Sequence, residues 1–570
     1  MEGTSKEMSS GFAVVDLFAG PGGLAEGFSA VRAKDGSRPF RIALSVEMER
    51  AAHSTLLLRS FLRQFADGPP DAYYSYLNTG GAEPNWQRDF PHQWAAAEKE
   101  ALRLTLGGDG VAELLNPKLD EIRERSKRRA ILIGGPPCQA YSLAGRARNQ
   151  SKDGYVAEKD HRHRLYEQYV QILERLEPAA FVMENVKGML SSSLDGSKIF
   201  GRVLRDLRAA GGEESYNLIA LGAPTARQQS LLDGTSDPAS GDFIIRAEDF
   251  GLPQARHRVI VVGIRRDIYS KLTPEDRAAL KLTRQAKRVG VRDVIGTMPS
   301  VRSGLSRADD TSLAWRKVFQ AAADALLKIE SDPIPSKAGE FHKAVARYMR
   351  APGELLSRSS NKVAGVGKDC PPALSQWLID EKLTALANHE TRGHMASDLA
   401  RYMFAAIYGE LTGRSPKATD YPKALAPDHA NWDSGKFADR FRVQLFDNPS
   451  TTVTSHIAKD GHYFIHPDPS QCRSLTVREA ARLQTFPDNY YFKGNRTEQF
   501  TQVGNAVPPF LAKQIGDVLH AALAAASPVV HVIQDQQTSP EEPDRRKARA
   551  WRKREFQSRS EARRAGFRRR

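Results

Sequence analysis

Cys138 and Glu184 are the two residues whose types and positions point most directly to chemistry. Cys138 lies in the Gly/Pro-rich turn 134–139, just after the apolar run 130–133, and Glu184 ends a second apolar run that starts at Phe181. Open parallel sheets present reactive side chains beyond the carboxyl ends of their strands. A thiol nucleophile beside a carboxyl group that can donate a proton suits covalent attack on a ring whose nitrogen is protonated as the bond forms.

A glycine-rich turn near the N-terminus predicts a cofactor site. Residues 12–18 have an apolar strand pattern, residues 19–23 are Ala-Gly-Pro-Gly-Gly, and a helix-like segment follows. The turn has neither the dinucleotide pattern G-x-G-x-x-G nor the Lys-Ser/Thr of a P-loop. A second apolar run, 42–46, is followed by Glu47, which is placed to accept hydrogen bonds from ribose hydroxyls. A cofactor with a ribose and no pyrophosphate fits best, which predicts S-adenosylmethionine.

Six segments, in the family's order, resemble the motif set of DNA (cytosine-5) methyltransferases. They are 16–23, 135–139, 184–186, 254–258, 473–487 and 502–509. The resemblance covers nearly the whole chain and is closest to bacterial and phage-type members. It implies transfer of a methyl group from S-adenosylmethionine to C5 of a cytosine in a specific duplex DNA sequence, with S-adenosylhomocysteine as the second product.

The residue types in these segments suggest roles in that reaction. A Cys138 thiolate would add to cytosine C6, and Glu184 would protonate N3, which makes C5 nucleophilic enough to take the methyl group. Arg256 and Arg258, two residues apart on a predicted strand, would share one face, grip the base carbonyl, orient Glu184 and stabilise the thiolate. The resemblance also implies a set of cofactor-binding residues, with Asp109 as the candidate acid near the adenine: Asp16, Phe18, Gly20, Pro21, Gly22, Gly23, Leu24, Glu47, Met48, Asp109, Pro137, Asn505 and Ala506.

Alternating strand-like and helix-like segments predict an α/β fold with a doubly wound, mostly parallel sheet. We expect residues 11–295 to form the catalytic, cofactor-binding domain. Residues 296–496, where the pattern loosens, should form a smaller target-recognition lobe. Residues 497–527 should return to pack on the catalytic domain, and residues 528–570 should form a basic, disordered tail. The stretch 67–86 is predicted to be a surface insertion.

The charge of the chain favours DNA as a partner. The chain has 83 Lys and Arg against 68 Asp and Glu, a net charge of +15, and residues 541–570 alone carry +8. A basic surface suits phosphate contacts, although the tail could equally serve solubility. A base in a duplex must rotate out of the stack to reach such a site. We expect a cytoplasmic, nucleoid-associated monomer on duplex DNA, with a separately encoded restriction endonuclease as a candidate partner.

Two other functions stay open on the sequence alone: an RNA cytosine-5 methyltransferase and a catalytically inactive DNA-binding regulator. The Thr-Cys pattern of the common RNA enzymes is absent, and an inactive protein has no chemical need to keep Cys138, Glu184 and the glycine turn. His389 and His394 are five residues apart, which does not suit two ligands of one metal on a helix, so we expect them to brace the lobe or contact phosphate. No apolar run reaches the length of a membrane span.

Overall fold

A mixed sheet of eight strands forms the centre of the protein. The computed structural model describes residues 11–137, 161–191, 193–194, 197–222, 239–330, 332–350, 355–427, 432 and 440–527, and the statements below concern these residues. The strands are, in chain order, β1 Phe12–Leu17, β2 Phe40–Glu47, β3 Ala101–Arg103, β4 Ala130–Gly134, β5 Ala180–Val186, β6 Tyr216–Ile219, β7 Ile244–Arg246 and β8 His257–Arg265.

The order of the strands is that of a doubly wound sheet. The neighbours run β3-β2-β1-β4-β5-β8-β6, and β7 also pairs with β8. Pairs among the first five strands are parallel, whereas β8 is antiparallel to β5, β6 and β7. β1 and β4 are buried along their whole length, as expected for central strands covered on both faces. The predicted α/β fold with a mostly parallel sheet is confirmed.

Helices cover both faces of the sheet. Helices Gly23–Ser29 and Pro509–Ala525 pack over one face, in a core with Val14, Ile131 and Val182. The other face is covered by Val111–Arg125, His161–Leu176 and Ile199–Ala209. Short helices Arg266–Tyr269 and Pro274–Ala278 follow β8. β1 and β4 are packed between the two cores, which fixes where the turns at their carboxyl ends begin.

The long connection between β2 and β3 folds as a helical subdomain. Its helices are Arg50–Arg63, Asp71–Thr79, Trp86–Asp89 and Pro91–Glu100. They enclose an aromatic core in which Tyr73 and Trp86 are buried and to which Leu383 contributes from a distant part of the chain. The predicted insertion at 67–86 therefore does not simply lie on the surface, because its aromatic residues are needed to fill this core.

Residues beyond 290 build a helical region with a core of its own. Its helices are Val291–Ile295, Ser312–Leu327, Glu340–Arg350, Pro372–Leu378 and Ala396–Thr412. The last of these is buried along most of its length and packs against Trp315, Phe319 and Phe341. Short strand pairs Gly304–Leu305 with Gly393–His394, and Gln254–Ala255 with Ser450–Thr451, tie segments distant in sequence together.

The chain then returns towards the sheet through helices Val477–Leu483, Arg496–Asn505 and Pro509–Ala525. A Cβ built on Gly27 would lie 2.5 Å from the Cβ of Ala512, so the last helix packs closely on Gly23–Ser29. The described residues up to Ala526 form one compact unit, and residues 528–570 lie outside the described part of the chain. In the described residues, no helix is both long enough and apolar enough to cross a membrane.

Candidate active site

The glycine turn after β1 has the backbone geometry of a cofactor-binding loop. Phe18, Gly20 and Gly22 have φ values of 56°, 58° and 101°, and Gly22 caps helix Gly23–Ser29. The carboxylate of Glu47, at the end of β2, accepts hydrogen bonds from the amides of Gly20 and Glu49, both at 2.7 Å. Burial raises the pKa of Glu47, and these backbone amides offset part of that effect. The predicted ribose-binding acid therefore lies directly at the turn.

Position 23 has room only for glycine, because the backbone of Val507, in the C-terminal return segment 497–527, packs over the turn. A Cβ built on Gly23 would lie 2.3 Å from the carbonyl oxygen of Val507, closer than real carbon and oxygen atoms approach. The hydroxyl of Tyr490 donates to the carbonyl of Pro21 on the same turn. Arg59 stacks on Tyr490 at 4.4 Å from the ring centroid and pairs with Glu26 at 2.5 Å. The C-terminal segments thus complete the turn, as the resemblance implies for residues near Asn505.

Asp16 is a buried acid with unused hydrogen-bonding capacity. Its side chain is 0% exposed, and neither carboxylate oxygen has a hydrogen-bond partner of normal geometry among the described residues. Complete burial raises the pKa of Asp16 to about 8, and the Arg63 guanidinium and the backbone amide of Ala25 offset only part of this. An unsatisfied buried acid is costly unless a ligand or water completes it. Asp16 can therefore form hydrogen bonds with a ligand bound at the turn.

The other predicted cofactor residues occupy the same edge of the sheet. Met48 follows Glu47 and is 51% exposed, so its side chain is accessible to a ligand bound beside Glu47. Asp109 is exposed in the turn between β3 and helix Val111–Arg125, and β3 pairs with the end of β2. Asn505 is exposed at the end of its helix, and Ala506 is buried beside it. Phe18 is half-buried, and Leu24 is buried in the core beneath the turn.

Glu184 lies beside the turn that leads into Cys138. Cys138 itself lies outside the described residues, which end at Pro137 on this side. Asn185 Nδ2 donates to the carbonyl of Pro136 at 3.1 Å. A Cβ built on Gly135 would lie 2.9 Å from Glu184 Oε2, so a larger residue there would displace the carboxylate. The carboxyl ends of β4 and β5 therefore bring Glu184 to the base of the segment that carries the predicted nucleophile.

Arg258, rather than Arg256, makes the ion pair with Glu184. Arg258 Nε lies 2.9 Å from Glu184 Oε1, and both side chains are 14% exposed. Antiparallel pairing of β5 with β8 places Arg258 opposite Val186 and Ile260 opposite Glu184. A partly buried, charge-assisted pair holds the carboxylate in one orientation while leaving Glu184 Oε2 free of this contact. The predicted orienting role is thus matched by the contacts of Arg258.

Arg256 is used differently, although the two arginines were predicted to act together. Its two terminal nitrogens donate to the carbonyls of Val453 and Ala506, both at 2.9 Å, and the residue is 2% exposed. Burial and the neighbouring Arg258 lower the pKa of Arg256 well below its ordinary value. In this arrangement Arg256 joins the strand carrying Arg258 to the segments that carry Val453 and Ala506.

The segment 450–455 forms a further part of the site that the sequence motifs did not reveal. Thr452 Oγ1 donates to the carbonyl of Ala255 at 2.6 Å, and the amide of Val453 donates to Gln254 Oε1 at 2.8 Å. A Cβ on Gly504 would lie 2.2 Å from the backbone nitrogen of Ser455. The only local signal was the run of Ser and Thr at 450–452, a composition typical of a short strand.

His389 and His394 brace the helical region. His389 hydrogen bonds to Thr476 Oγ1 and the Pro299 carbonyl, and His394 to Tyr402 and Ser474. Burial lowers the pKa of both histidines. Of the two roles left open by the sequence, bracing is the one that these contacts match. Among the described residues, no group of His, Cys, Asp or Glu side chains has an arrangement suited to a metal ion.

The chain is similar to known methyltransferases. A family model described as C-5 cytosine-specific DNA methylase matches residues 116–319 and 374–521. Type II methyltransferase M.Bpa9945I of Bacillus paralicheniformis is 32% identical over 527 residues, which is 89% of this chain and 99% of the relative. Type II methyltransferase M.AgeI of Thalassovita gelatinovora is 27% identical, covering 69% of this chain and 83% of the relative. DNA (cytosine-5-)-methyltransferase M.ApeKI of Aeropyrum pernix is 25% identical, covering 69% of this chain and 82% of the relative.

The chain belongs to the C-5 cytosine-specific DNA methylase family and is an S-adenosylmethionine-dependent enzyme that methylates cytosine in DNA.

Proposed function

We propose that this enzyme methylates a cytosine flipped out of duplex DNA through a covalent bond between Cys138 and C6 of the base. S-adenosylmethionine supplies the methyl group as a sulfonium electrophile. The observation that carries the proposal is the 2.9 Å pair of Arg258 with Glu184, beside the Gly135–Pro136 turn that leads into Cys138. This arrangement supports a nucleophile and a proton donor acting on the same ring.

The Cys138 thiolate adds to C6 as Glu184 gives a proton to N3, so that no negative charge builds up on the ring. C5 then takes the methyl group as the bond between that group and the sulfonium sulfur breaks. A base removes the C5 proton, the Cys138 sulfur leaves as a thiolate while the C5–C6 double bond re-forms, and N3 returns its proton to Glu184. Arg258 holds Glu184 in line with N3 throughout. The enzyme is unchanged after the cycle, and the DNA carries 5-methylcytosine.

The cofactor would bind at the turn after β1. Glu47 would accept hydrogen bonds from the ribose, Asp16 would face the amino acid part, and Met48 would cover the adenine. The unpaired oxygens of Asp16 and the exposure of Met48 support this placement. Phe18, Pro137 and Asn505 complete the proposed lining, with Asp109 near the adenine. The product of methyl transfer would be S-adenosylhomocysteine.

We further propose that residues 296–496 hold the surface that selects the DNA sequence. The separate core around Trp315 and Phe404 supports a lobe that can carry its own recognition loops. Two relatives carry the name Type II methyltransferase, which supports a separately encoded endonuclease with the same target. We propose that the enzyme acts as a monomer, because one chain supplies every residue assigned a role above.

Methyl transfer to DNA and RNA tests this function. The purified protein, radiolabelled S-adenosylmethionine and either genomic DNA or total RNA should give label in DNA alone, and bisulfite sequencing should map it to cytosines in one short sequence. Label in RNA would favour an RNA methyltransferase. Sequence-specific DNA binding without label would favour an inactive regulator.

A further inference from the structure

We propose that Asp16 holds a proton in the free enzyme and releases it when S-adenosylmethionine binds, so that cofactor binding is coupled to the loss of one proton. This inference rests on the proposed function, because it requires the cofactor to bind at the turn after β1. Asp16 then has two charge states, and the cofactor binds the ionised state more tightly than the protonated state.

The surroundings of Asp16 leave it without a completed hydrogen-bond set. The backbone amide of Ala25 approaches Asp16 closely enough to lower its pKa somewhat, but neither oxygen has a hydrogen bond of normal geometry among the described residues, and neither has the hydroxyl of Ser45, which lies opposite Asp16 in the β1–β2 register. Ser45 is two residues before Glu47, so the side chains of Ser45 and Glu47 share one face of β2. Asp16, Ser45 and Glu47 therefore lie on one face of neighbouring strands, at the carboxyl ends of β1 and β2.

The charged groups around Asp16 do not neutralise it. Arg63, on helix Arg50–Arg63, is the cation that acts on Asp16, but its Nη2 already pairs with Glu100 at 2.6 Å. Arg63 Nη1 also lies 3.9 Å from Glu26, whose main partner is Arg59. Glu47 and Glu100 add negative charge near Asp16, and the nearby Tyr169 hydroxyl donates to the Val182 carbonyl rather than to Asp16. One guanidinium is thus shared among several acids, which favours the protonated form of Asp16.

The cofactor changes this balance because it is a cation at its reacting end. The ammonium and sulfonium groups of S-adenosylmethionine bring positive charge to the turn, and a nearby positive charge favours the carboxylate form of a buried acid. The high pKa of Asp16, about 8, means that the proton is present at neutral pH before the cofactor binds. Binding the cation and losing the proton are then one linked equilibrium.

Calorimetry of cofactor binding tests this linkage directly. Titrating S-adenosylmethionine into the full-length protein at pH 7 in buffers of different ionisation enthalpy should show release of about one proton per cofactor. The dissociation constant should fall by up to about tenfold per pH unit between about pH 6 and pH 7.5. Asp16→Asn keeps the shape of the side chain and cannot ionise, so its binding should show neither effect. Asp109→Asn, an exposed acid at the same edge, should weaken binding without changing the proton count.

Three results would overturn the proposal. Tight binding by the wild type with no proton released would refute the inference and leave the proposed function standing. Equal proton release by the wild type and Asp16→Asn would assign the proton to Glu47, the other buried acid at the turn. Failure of the wild type to bind the cofactor would refute the proposed function, and this inference with it.

The pH dependence of stability provides a second test if Asp16→Asn does not bind the cofactor. Between about pH 4 and pH 8, Asp16 is protonated in the folded chain and ionised in the unfolded chain. The folded state then binds more protons, so the free energy of unfolding contributed by this group falls as the pH rises through that window. Asp16→Asn should remove this fall in the cofactor-free protein. A wild-type profile that matches the variant's would contradict the proposal.

Discussion

Glu184 and Arg258 form the ion pair on which the proposed chemistry depends. Their 2.9 Å contact crosses from β5 to β8, and Glu184 Oε2 faces the turn at Gly135. A carboxylate held on one side by an arginine and open on the other can meet a ring nitrogen without reorganising. The pair therefore fixes the orientation of Glu184, and under the proposed mechanism Glu184 is the residue whose loss should affect the chemical step most specifically.

Glu184→Gln should slow the chemical step far more than it weakens DNA binding. Glutamine can still hydrogen bond to the base but cannot give a proton to N3, so single-turnover methyl transfer should fall by about 10²–10⁴-fold. Glu214→Gln is a matched control, because Glu214 pairs with Arg266 on the exterior and should keep the wild-type rate. Equal losses in DNA affinity and single-turnover rate for Glu184→Gln would mean that Glu184 only positions the base.

Replacing Arg256 and Arg258 in turn by alanine should affect the protein in different ways. Arg258→Ala removes the partner of Glu184 and should reduce the single-turnover rate while the protein stays folded. Arg256→Ala leaves the carbonyl of Val453 without its donor and leaves Ala506 only the weaker hydrogen bond from Gln484 Nε2 at 3.2 Å, so it should lower the free energy of unfolding by about 2 kcal/mol. Urea unfolding and rapid-quench methyl transfer on both variants measure the difference. Equal effects of the two substitutions on the rate and on the free energy of unfolding would contradict these different roles.

At the scale of elements, C-terminal residues complete the glycine turn 19–23 that follows β1. The carbonyl of Val507 and the hydroxyl of Tyr490 both lie against residues 21–23, nearly the whole chain length away in sequence. Helix Pro509–Ala525 then packs under the same turn. The turn therefore depends on contacts that form only when the C-terminal helices have docked on the sheet.

Gly23→Ala should weaken cofactor binding by displacing the return segment. The added Cβ would lie 2.3 Å from backbone oxygen, which cannot move without shifting residues 505–509. Gly201→Ala is the control, because Gly201 lies in helix Ile199–Ala209 with nothing within 4 Å of the added carbon, and alanine favours helix there. Cofactor titrations should give weaker binding for Gly23→Ala and wild-type binding for Gly201→Ala. Wild-type binding by both would show that the closure is not needed.

The sequence predicted the strands well because their apolar runs are continuous. The run 42–46 lies within β2, directly before Glu47, and the run 130–133 lies within β4, before the turn that leads to Cys138. The partners of Arg256 could not be predicted in the same way. Val453 and Ala506 are about 200 and 250 residues away, and no local pattern encodes a hydrogen bond to a distant carbonyl. For the same reason, the contribution of Leu383 to the aromatic core around Trp86 was not predicted.

At the scale of the whole molecule, the basic tail and the helical region should contribute different parts of DNA binding. Removing residues 528–570 should weaken DNA binding at low salt and reduce its salt dependence, because tail arginines neutralise phosphates without reading bases. The methylated sequence should stay the same.

Exchanging residues 300–470 for those of a relative with another target should change the methylated sequence while cofactor binding survives. Salt titration of DNA binding and genome-wide methylation mapping test both variants, and a new recognition sequence after tail removal would contradict this division.

Covalent trapping at Cys138 tests the central claim most directly. A duplex carrying the mapped site with 5-fluorocytosine at the target cannot lose its C5 substituent as a proton, so the wild type with S-adenosylmethionine should form a complex that survives denaturing electrophoresis. Cys138→Ser should form none and should transfer no methyl group, while still binding the cofactor. Cys370→Ala and Cys472→Ala should still be trapped, since burial raises the pKa of the Cys370 thiol to about 11 and that of Cys472 well above its ordinary value. Methyl transfer by Cys138→Ser, or its covalent capture, would contradict the account.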